Sequence, residues 1–159
     1  GHTGSLVVRE LTRYGYGVVV LDDSQDRLDG LALLDLGSFV PTLCGDMTRP
    51  ELLVAAGLTS RHCIGVLALA GDDEANLAVA MAARLLAPQV PAISRSQSAE
   101  TTANLASFGT DHIVNPFVAF AERMGLTFRA PSAHVLYECL TSSYRTPATA
   151  PMRLPVGRW

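Results

Sequence analysis

The sequence predicts an α/β fold, a parallel sheet with helices on both of its faces. Three observations carry this. Short β-branched and apolar runs of strand length alternate along the chain with stretches whose apolar residues recur at helical spacing. Glycine, proline and Asp-rich breakers stand at the junctions. The order is strand, helix, strand throughout, and that alternation implies right-handed crossovers and a parallel sheet buried on both sides.

Taken in order, Leu6, Val7, Glu10 and Leu11 begin a helical pattern that the Gly15-Tyr16-Gly17 breaker ends. Val18-Val19-Val20-Leu21-Asp22 then reads as a buried strand. Leu28, Leu31, Ala32 and Leu36 repeat at helical spacing up to Gly37, and a short strand runs from Phe39 to Leu43 before Gly45-Asp46. Pro50 suits the first turn of a helix through Ala56, closed by Gly57. Cys63 to Ala70 is the next strand. Asp72, Asp73 and Glu74 favour a helix start, because carboxylates complement the exposed N–H groups there, and that helix extends to Leu86. Val90 to Ser94 forms an extended run, Ser98 to Phe108 a helix, and His112 to Val114 a short strand stopped by Asn115-Pro116.

Beyond Pro116 the pattern changes. Phe117, Phe120, Met124 and Phe128 form an aromatic and methionine stripe at helical spacing, which reads either as core or as a partner surface. Ser132 is placed to cap a second short helix through Leu140, and Pro147, Pro151 and Pro155 make an extended linker. The expected organisation is a sheet domain over residues 1–115, helices over 116–142 and a Pro-rich linker over 143–159.

Composition narrows the function classes. A chain of 159 residues with 48% apolar content buries a proper core, and its formal charge of −3 offers no basic stripe for nucleic acid. All 12 basic residues are arginine, which excludes a Schiff-base lysine, a lysine general base and a P-loop lysine. Cys44, Cys63 and Cys139 are odd in number and lie in apolar surroundings, so reduced core thiols of a cytosolic protein are expected rather than a disulfide framework. His2, His62, His112 and His134 show no metal-ligand spacing. The apolar stretch Cys63–Ala70 is far too short to span a bilayer, so no direct membrane insertion is expected.

The chemistry-bearing pattern lies at the strand ends. Gly1-x-x-Gly4 opens the chain at a helix start, and Asp22 follows Gly4 by eighteen positions at the tip of the next strand. In a dinucleotide-binding unit a glycine turn lets pyrophosphate approach backbone N–H groups, and an acid about 20 residues on accepts from ribose hydroxyls. Asp46, Asp72 with Asp73, and Arg95 also follow strands directly, where ligand crevices of parallel sheets lie.

The ordered series Gly1-His2-Thr3-Gly4, Val19-Val20-Leu21-Asp22, Gly45-Asp46-Met47-Thr48, Ala56-Gly57-Leu58, Gly71-Asp72-Asp73-Glu74-Ala75-Asn76-Leu77, Ser94-Arg95 and Gly109-Thr110-Asp111-His112-Ile113-Val114-Asn115-Pro116-Phe117 resembles the RCK domain, also called KTN or TrkA-N. This family comprises cytosolic regulatory domains of potassium channels and potassium uptake transporters. The resemblance implies a Rossmann-like fold and a nucleotide sensor without turnover, so not an enzyme. By position, Gly1, His2, Thr3 and Gly4 would shape the phosphate turn, and Asp22 with Asp23 would hold the ribose. Asp46, Met47 and Thr48 would flank the adenine, Asp73 and Asn76 would line the mouth, and Arg95 would counter phosphate charge. The implied ligand is NAD(H), ATP or ADP. The implied partners are a second copy, paired through the Phe117–Phe128 helix with an octameric ring among the assemblies, and a membrane potassium pore. The location is then cytoplasmic, at the inner face of the membrane.

Two features depart from the family pattern. His2 stands where an arginine often reaches the phosphates, and the chain as given begins without the unit's first strand and first glycine. Without that central strand, two neighbouring strands are expected to carry unpaired backbone groups. Gly157-Arg158-Trp159 resembles the lead-in to another such unit. Three other readings stand beside this one: a fragment of a nicotinamide-dependent oxidoreductase, an oligomerisation module with a decayed nucleotide site, and a divalent-cation sensor using Asp46, Asp72, Asp73 and Glu74.

Overall fold

The structure is a computed structural model, and residues 1–143 are described. The elements follow as α1 (His2–Arg13), β1 (Val20–Asp22), α2 (Gln25–Ala32), β2 (Thr42–Cys44), α3 (Pro50–Ala55), β3 (Val66–Ala68), α4 (Asp73–Leu86), β4 (Ala92–Arg95), α5 (Ala99–Ser107), β5 (His112–Val114), α6 (Pro116–Arg129) and α7 (Pro131–Ser143). The chain divides into two compact units, Gly1–Pro116 and Phe117–Trp159. The prolines at 147, 151 and 155 and the segment Gly157-Arg158-Trp159 lie outside the described residues.

In the first unit the fold is α/β with every paired strand parallel. The strands hydrogen-bond as a pair, β1–β2, and a triplet, β3–β4–β5. Register aligns Asp22 with Cys44, Ala68 with Ser94 and Arg95 with Val114, so the carboxyl ends of the strands within each set finish level. β1 and β3, on either side of the expected gap, exchange no ladder hydrogen bonds. They nonetheless share a core: Leu21 of β1 packs against the cluster that holds Ala68 of β3.

That cluster is built around α4. Asp72 caps this helix, its carboxylate accepting from the Ala75 N–H at 3.0 Å. Asn76, Val79, Ala80, Ala83 and, just past its end, Ala87 are buried at spacings of one helical face. The alanines of that face let α4 pack against β3 and β4, where Ala68, Val90 and Ala92 with Leu53 and Leu58 complete the core. Ser24 and Ser98 cap α2 and α5 in the same way, accepting from the Arg27 and Thr101 N–H groups. Gly57 closes α3 with φ of 100°, a left-handed conformation that side chains oppose.

The structure corrects several sequence expectations. β2 starts at Thr42 rather than Phe39, because Pro41 has no N–H to place in a ladder, and the Phe39 side chain is 88% exposed. β3 is confined to Val66–Ala68, since Cys63 sits in a turn closed by its N–H to the Ser60 carbonyl. α2 ends at Ala32 and leaves Leu36 outside. α7 starts at Pro131, whose fixed φ and missing N–H suit a first helical position, so Ser132 lies within the helix instead of capping it. Two of the cysteines are not core residues: Cys139 is exposed on α7, and Cys44 is exposed because β2 is an edge strand, whereas Cys63 is half-buried against the core cluster.

In the second unit an Arg123–Glu138 ion pair joins α6 to α7, and the Arg123 guanidinium lies 5.0 Å from the centre of the Tyr137 ring. Among the described residues nothing buries α6: Phe120 is 64% and Phe128 86% exposed, so the apolar stripe is not core of the described part.

Leu105, completely buried on α5, tests the packing of the first unit. Leu105→Ala is expected to lower stability by about 2–5 kcal/mol in urea denaturation followed by circular dichroism.

Candidate functional site

All the sequence-predicted site residues lie at the carboxyl edge of the strands or at the helix starts that face it. They fall into two corners. The first is formed by the start of α1, the end of β1 and the loop after β2. Gly1 precedes α1 as its N-cap, and no side chain caps the first turn, so the N–H groups of that turn keep their donor capacity. Gly4 is in this first turn, and a Cβ built on Gly1 or Gly4 would meet nothing within 4 Å. His2 and Thr3 are exposed beside them. A cleft of about 450 Å³ opens here between α1 and α2, lined by Gly1, His2, Leu6, Arg9, Arg27 and Leu34 among others.

Asp22 closes β1 with a half-buried carboxylate. Its Oδ1 accepts from Arg27 Nε at 2.8 Å and from the Ser24 N–H at 3.0 Å. Its Oδ2 lies 3.6 Å from the Gly1 nitrogen. Burial pushes the Asp22 pKa upward, but hydrogen bonds from Arg27 and Ser24 and the Arg27 charge outweigh it, so the group stays ionised below the usual carboxylate range. Asp23 is exposed and pairs with the same guanidinium.

Across the corner, the Gly45 N–H donates to the Asp22 carbonyl at 2.9 Å. A Cβ on Gly45 would lie 2.5 Å from Leu52 Cδ1, so a glycine permits this close approach. Asp46 accepts from the Thr48 hydroxyl at 2.6 Å and from the Thr48 N–H at 2.9 Å; these bonds lower its pKa and fix the loop. Met47, between them, packs against the core cluster.

The second corner joins the loop after β3 to the loop after β4. Asn76, with no exposed surface, accepts from the Ala70 N–H at 2.8 Å and donates to the carbonyls of Ala70 at 3.0 Å and Arg95 at 3.1 Å. Asp73 accepts from the N–H groups of Gln97 and Ser98, each at 2.9 Å, and from the Ser96 hydroxyl at 3.3 Å. Burial acts to raise the Asp73 pKa, and these donors more than offset it, leaving it lowered. Asp73 and Asn76 thus face backbone, which they hold in place.

Arg95, at the end of β4, reaches the Ala70 carbonyl through one terminal nitrogen at 3.5 Å. Its Nε is buried without a hydrogen-bond partner, an uncommon state for a guanidinium donor. Among the described residues no three His, Cys, Asp or Glu side chains converge as a metal site, and Asp46, Asp72 and Asp73 are each engaged with backbone N–H groups.

Three participants escape the motif reading: Arg27, Ser96 and Gln97. Arg27 had a signal, since a cation five residues after a strand-end acid lies one turn into the next helix. Ser96 and Gln97 had none, because their roles arise from backbone that α4 brings alongside.

Parallel strands, an uncapped helix start and a strand-end carboxylate facing it define the class of Rossmann-like nucleotide-binding folds. The particular family is shown by comparison. The TrkA-N domain matches residues 1–116, and the chain belongs to that family. An uncharacterized protein of Methanothermus fervidus is 26% identical over 116 residues, 73% of this chain, which spans 18% of that protein's length. Among solved structures, the NAD(P)-binding domain of an exopolyphosphatase-related protein from Archaeoglobus fulgidus is 26% identical, with a TM-score of 0.68 and coverage of 81% of this chain and 92% of that one. The TrkA-N domain of the inner membrane protein ybaL from Escherichia coli is 22% identical, with a TM-score of 0.68 and coverage of 78% and 87%. Fold likeness extends to the GsuK channel bound to NAD, at 20% identity, TM-score 0.52 and coverage of 76% and 24%. It extends also to the Shewanella denitrificans Kef CTD in AMP-bound form, at 16% identity, TM-score 0.54 and coverage of 82% and 92%.

The Asp73 knot has a pH signature. A lowered pKa means that its contribution is fully present above the ordinary value of 3.8 and is lost as pH falls through the folded-state pKa. Asp73→Ala is expected to cost about 1–2 kcal/mol at pH 7. The gap between wild type and variant should narrow below pH 3.8 in denaturant titrations.

Proposed function

We propose that this chain is the nucleotide-binding regulatory unit of a potassium channel or potassium transporter, taking NAD(H) or an adenine nucleotide and performing no turnover. The observation that carries the reading is Asp22, whose carboxylate is fixed at the strand tip with Oδ2 turned to the uncapped start of α1. The residues fit a nucleotide: a Cβ on Gly4 would meet nothing within 4 Å, and no side chain caps the first turn of α1. In this reading the α1 N–H groups and Arg95 hold phosphate, Asp22 holds the ribose, and Asp46, Met47 and Thr48 border the base. Neighbours of like fold described as bound to NAD or AMP support the ligand class, and TrkA-N membership supports the regulatory role.

The exposed Phe117–Phe128 face of α6 supports pairing with a second copy of the chain. No described helix is long and apolar enough to cross a membrane; the reading places the chain at the cytoplasmic face, acting through a pore partner. A nucleotide biases that pore only through its differential affinity for two assembly shapes, and shifting a 1:99 balance to 99:1 needs about 5.5 kcal/mol. Several subunits can share this demand.

Two measurements test the reading. In a thermal-shift panel of NADH, NAD, ATP, ADP and AMP, at least one ligand at a hundredfold excess over its Kd should stabilise the fold by about 2.7 kcal/mol. Asp22→Ala should abolish that shift; equal shifts in both proteins, or none in either, reject the site. In sedimentation velocity the wild type should run as a dimer or larger and Phe120→Asp as a monomer, and identical sedimentation rejects α6 as the interface.

A further inference from the structure

Gln97 stands in the loop after β4, and its polar groups go to three different places. Its side-chain amide donates to the Gly71 carbonyl, in the loop after β3, at 2.8 Å. Its backbone N–H donates to both carboxylate oxygens of Asp73, at the start of α4, at 3.0 and 2.9 Å. Its carbonyl accepts from the Asn115 side-chain amide at 3.2 Å. These partners lie 18 to 26 residues away in the chain, so no bond in the set is local. One exposed residue thereby joins the carboxyl ends of β3, β4 and β5.

The two ends of this link are unlike. Gly71 follows Ala70, whose carbonyl the Arg95 side chain reaches at 3.5 Å, so one end lies beside the position given above to phosphate. Asn115 is the residue before Pro116, where α6 begins. Proline fixes its own φ and restricts the residue before it, so a shift of Asn115 is passed to the first turn of α6 instead of being absorbed at the junction. The main chain already ties β4 to β5, the Ser96 N–H donating to the Val114 carbonyl at 3.0 Å. The Gln97 side chain adds the loop after β3 to that connection.

We propose, resting on the nucleotide reading above, that Gln97 is a positioning residue that couples occupancy of the crevice to the start of α6. A displacement of Gly71 enters through the Gln97 amide, crosses to its carbonyl and leaves through Asn115. In this scheme the Gln97 side chain does not hold nucleotide. A ligand biases α6 only through its differential affinity for two arrangements of these loops, so cutting the link removes the response of α6 while sparing most of the affinity.

The test is amide hydrogen exchange of the full chain by mass spectrometry, read at residues 117–124, with calorimetric titration of NADH, NAD, ATP, ADP and AMP in parallel. In wild type, saturation with a nucleotide that binds should slow exchange in that segment by at least about threefold. Gln97→Met keeps the length of the side chain and removes its donor, and Asn115→Asp keeps an oxygen and removes the donating amide. Each should bind within about threefold of wild type yet lose most of the slowing, an outcome that a merely structural role would not produce. The double variant should lose no more than the stronger single one, as two links of one connection do. Ser107→Ala, whose hydroxyl bonds only to the Asn104 carbonyl of its own helix, should respond as wild type does. Melting temperatures within a few degrees of wild type confirm that folding is retained, and if Asn115→Asp fails to fold, Gln97→Met alone decides. Binding without slowing at 117–124 in wild type, or slowing undiminished in Gln97→Met, overturns the inference while leaving nucleotide binding intact. Failure of all five nucleotides to bind overturns the inference and the nucleotide reading together.

Discussion

A parallel sheet ends in loops whose backbone groups leave the ladder while still partly buried, and something must satisfy them there. In this protein the amide of Asn76 does so at one corner. One side chain takes the N–H and carbonyl of Ala70 and the carbonyl of Arg95, tying the loop after β3 to the end of β4. Leaving such groups unmet costs about 1–3 kcal/mol each, so the knot is a condition for the crevice to exist in this shape. Asp73, one turn before, fastens the next loop by accepting from Gln97 and Ser98. The position of Arg95 follows from these bonds, since its backbone is anchored by Asn76 and its side chain lies against Ala70.

The opposite corner is held by charge. Asp22 receives Arg27 and Ser24 on one oxygen, and its backbone carbonyl receives the Gly45 N–H. The two corners thus use different chemistry for the same task. Neutral amide and carboxylate bonds to backbone rigidify the β3–β4 side, while an ion pair of three residues sets the orientation and the field on the β1–β2 side. An ion pair that is largely exposed contributes little to stability. Its effect here lies in how it orients the Asp22 carboxylate.

Much of the fold was legible in the sequence because its signals are local. Asp72, Asp73 and Glu74 mark the start of α4, Ser98 that of α5, and the glycine at 57 marks a helix end. Where the reading failed, a neighbouring constraint prevailed over the pattern. Pro41 shortened β2, the turn at Ser60–Cys63 shortened β3, and the edge position of β2 left Cys44 exposed. The stripe on α6 was ambiguous for a further reason: an apolar helical face reads the same whether its complement is in the same chain or in another. Among the described residues nothing covers that face.

The sequence by itself determined the class of fold, the family resemblance later borne out by the TrkA-N match over residues 1–116, and the placing of acids and an arginine just after strands. These are properties of order and spacing, which a linear pattern carries in full. Tertiary structure alone decided what each polar group faces. Asp73 and Asn76, alike in sequence to ligand-lining residues, are aimed at backbone from the neighbouring loop, while Arg95 Nε keeps a donor unused and Asp22 keeps one oxygen turned to α1. Hydrogen-bond partnership depends on ångström-scale approach between segments about 20 residues apart, and no spacing rule encodes that.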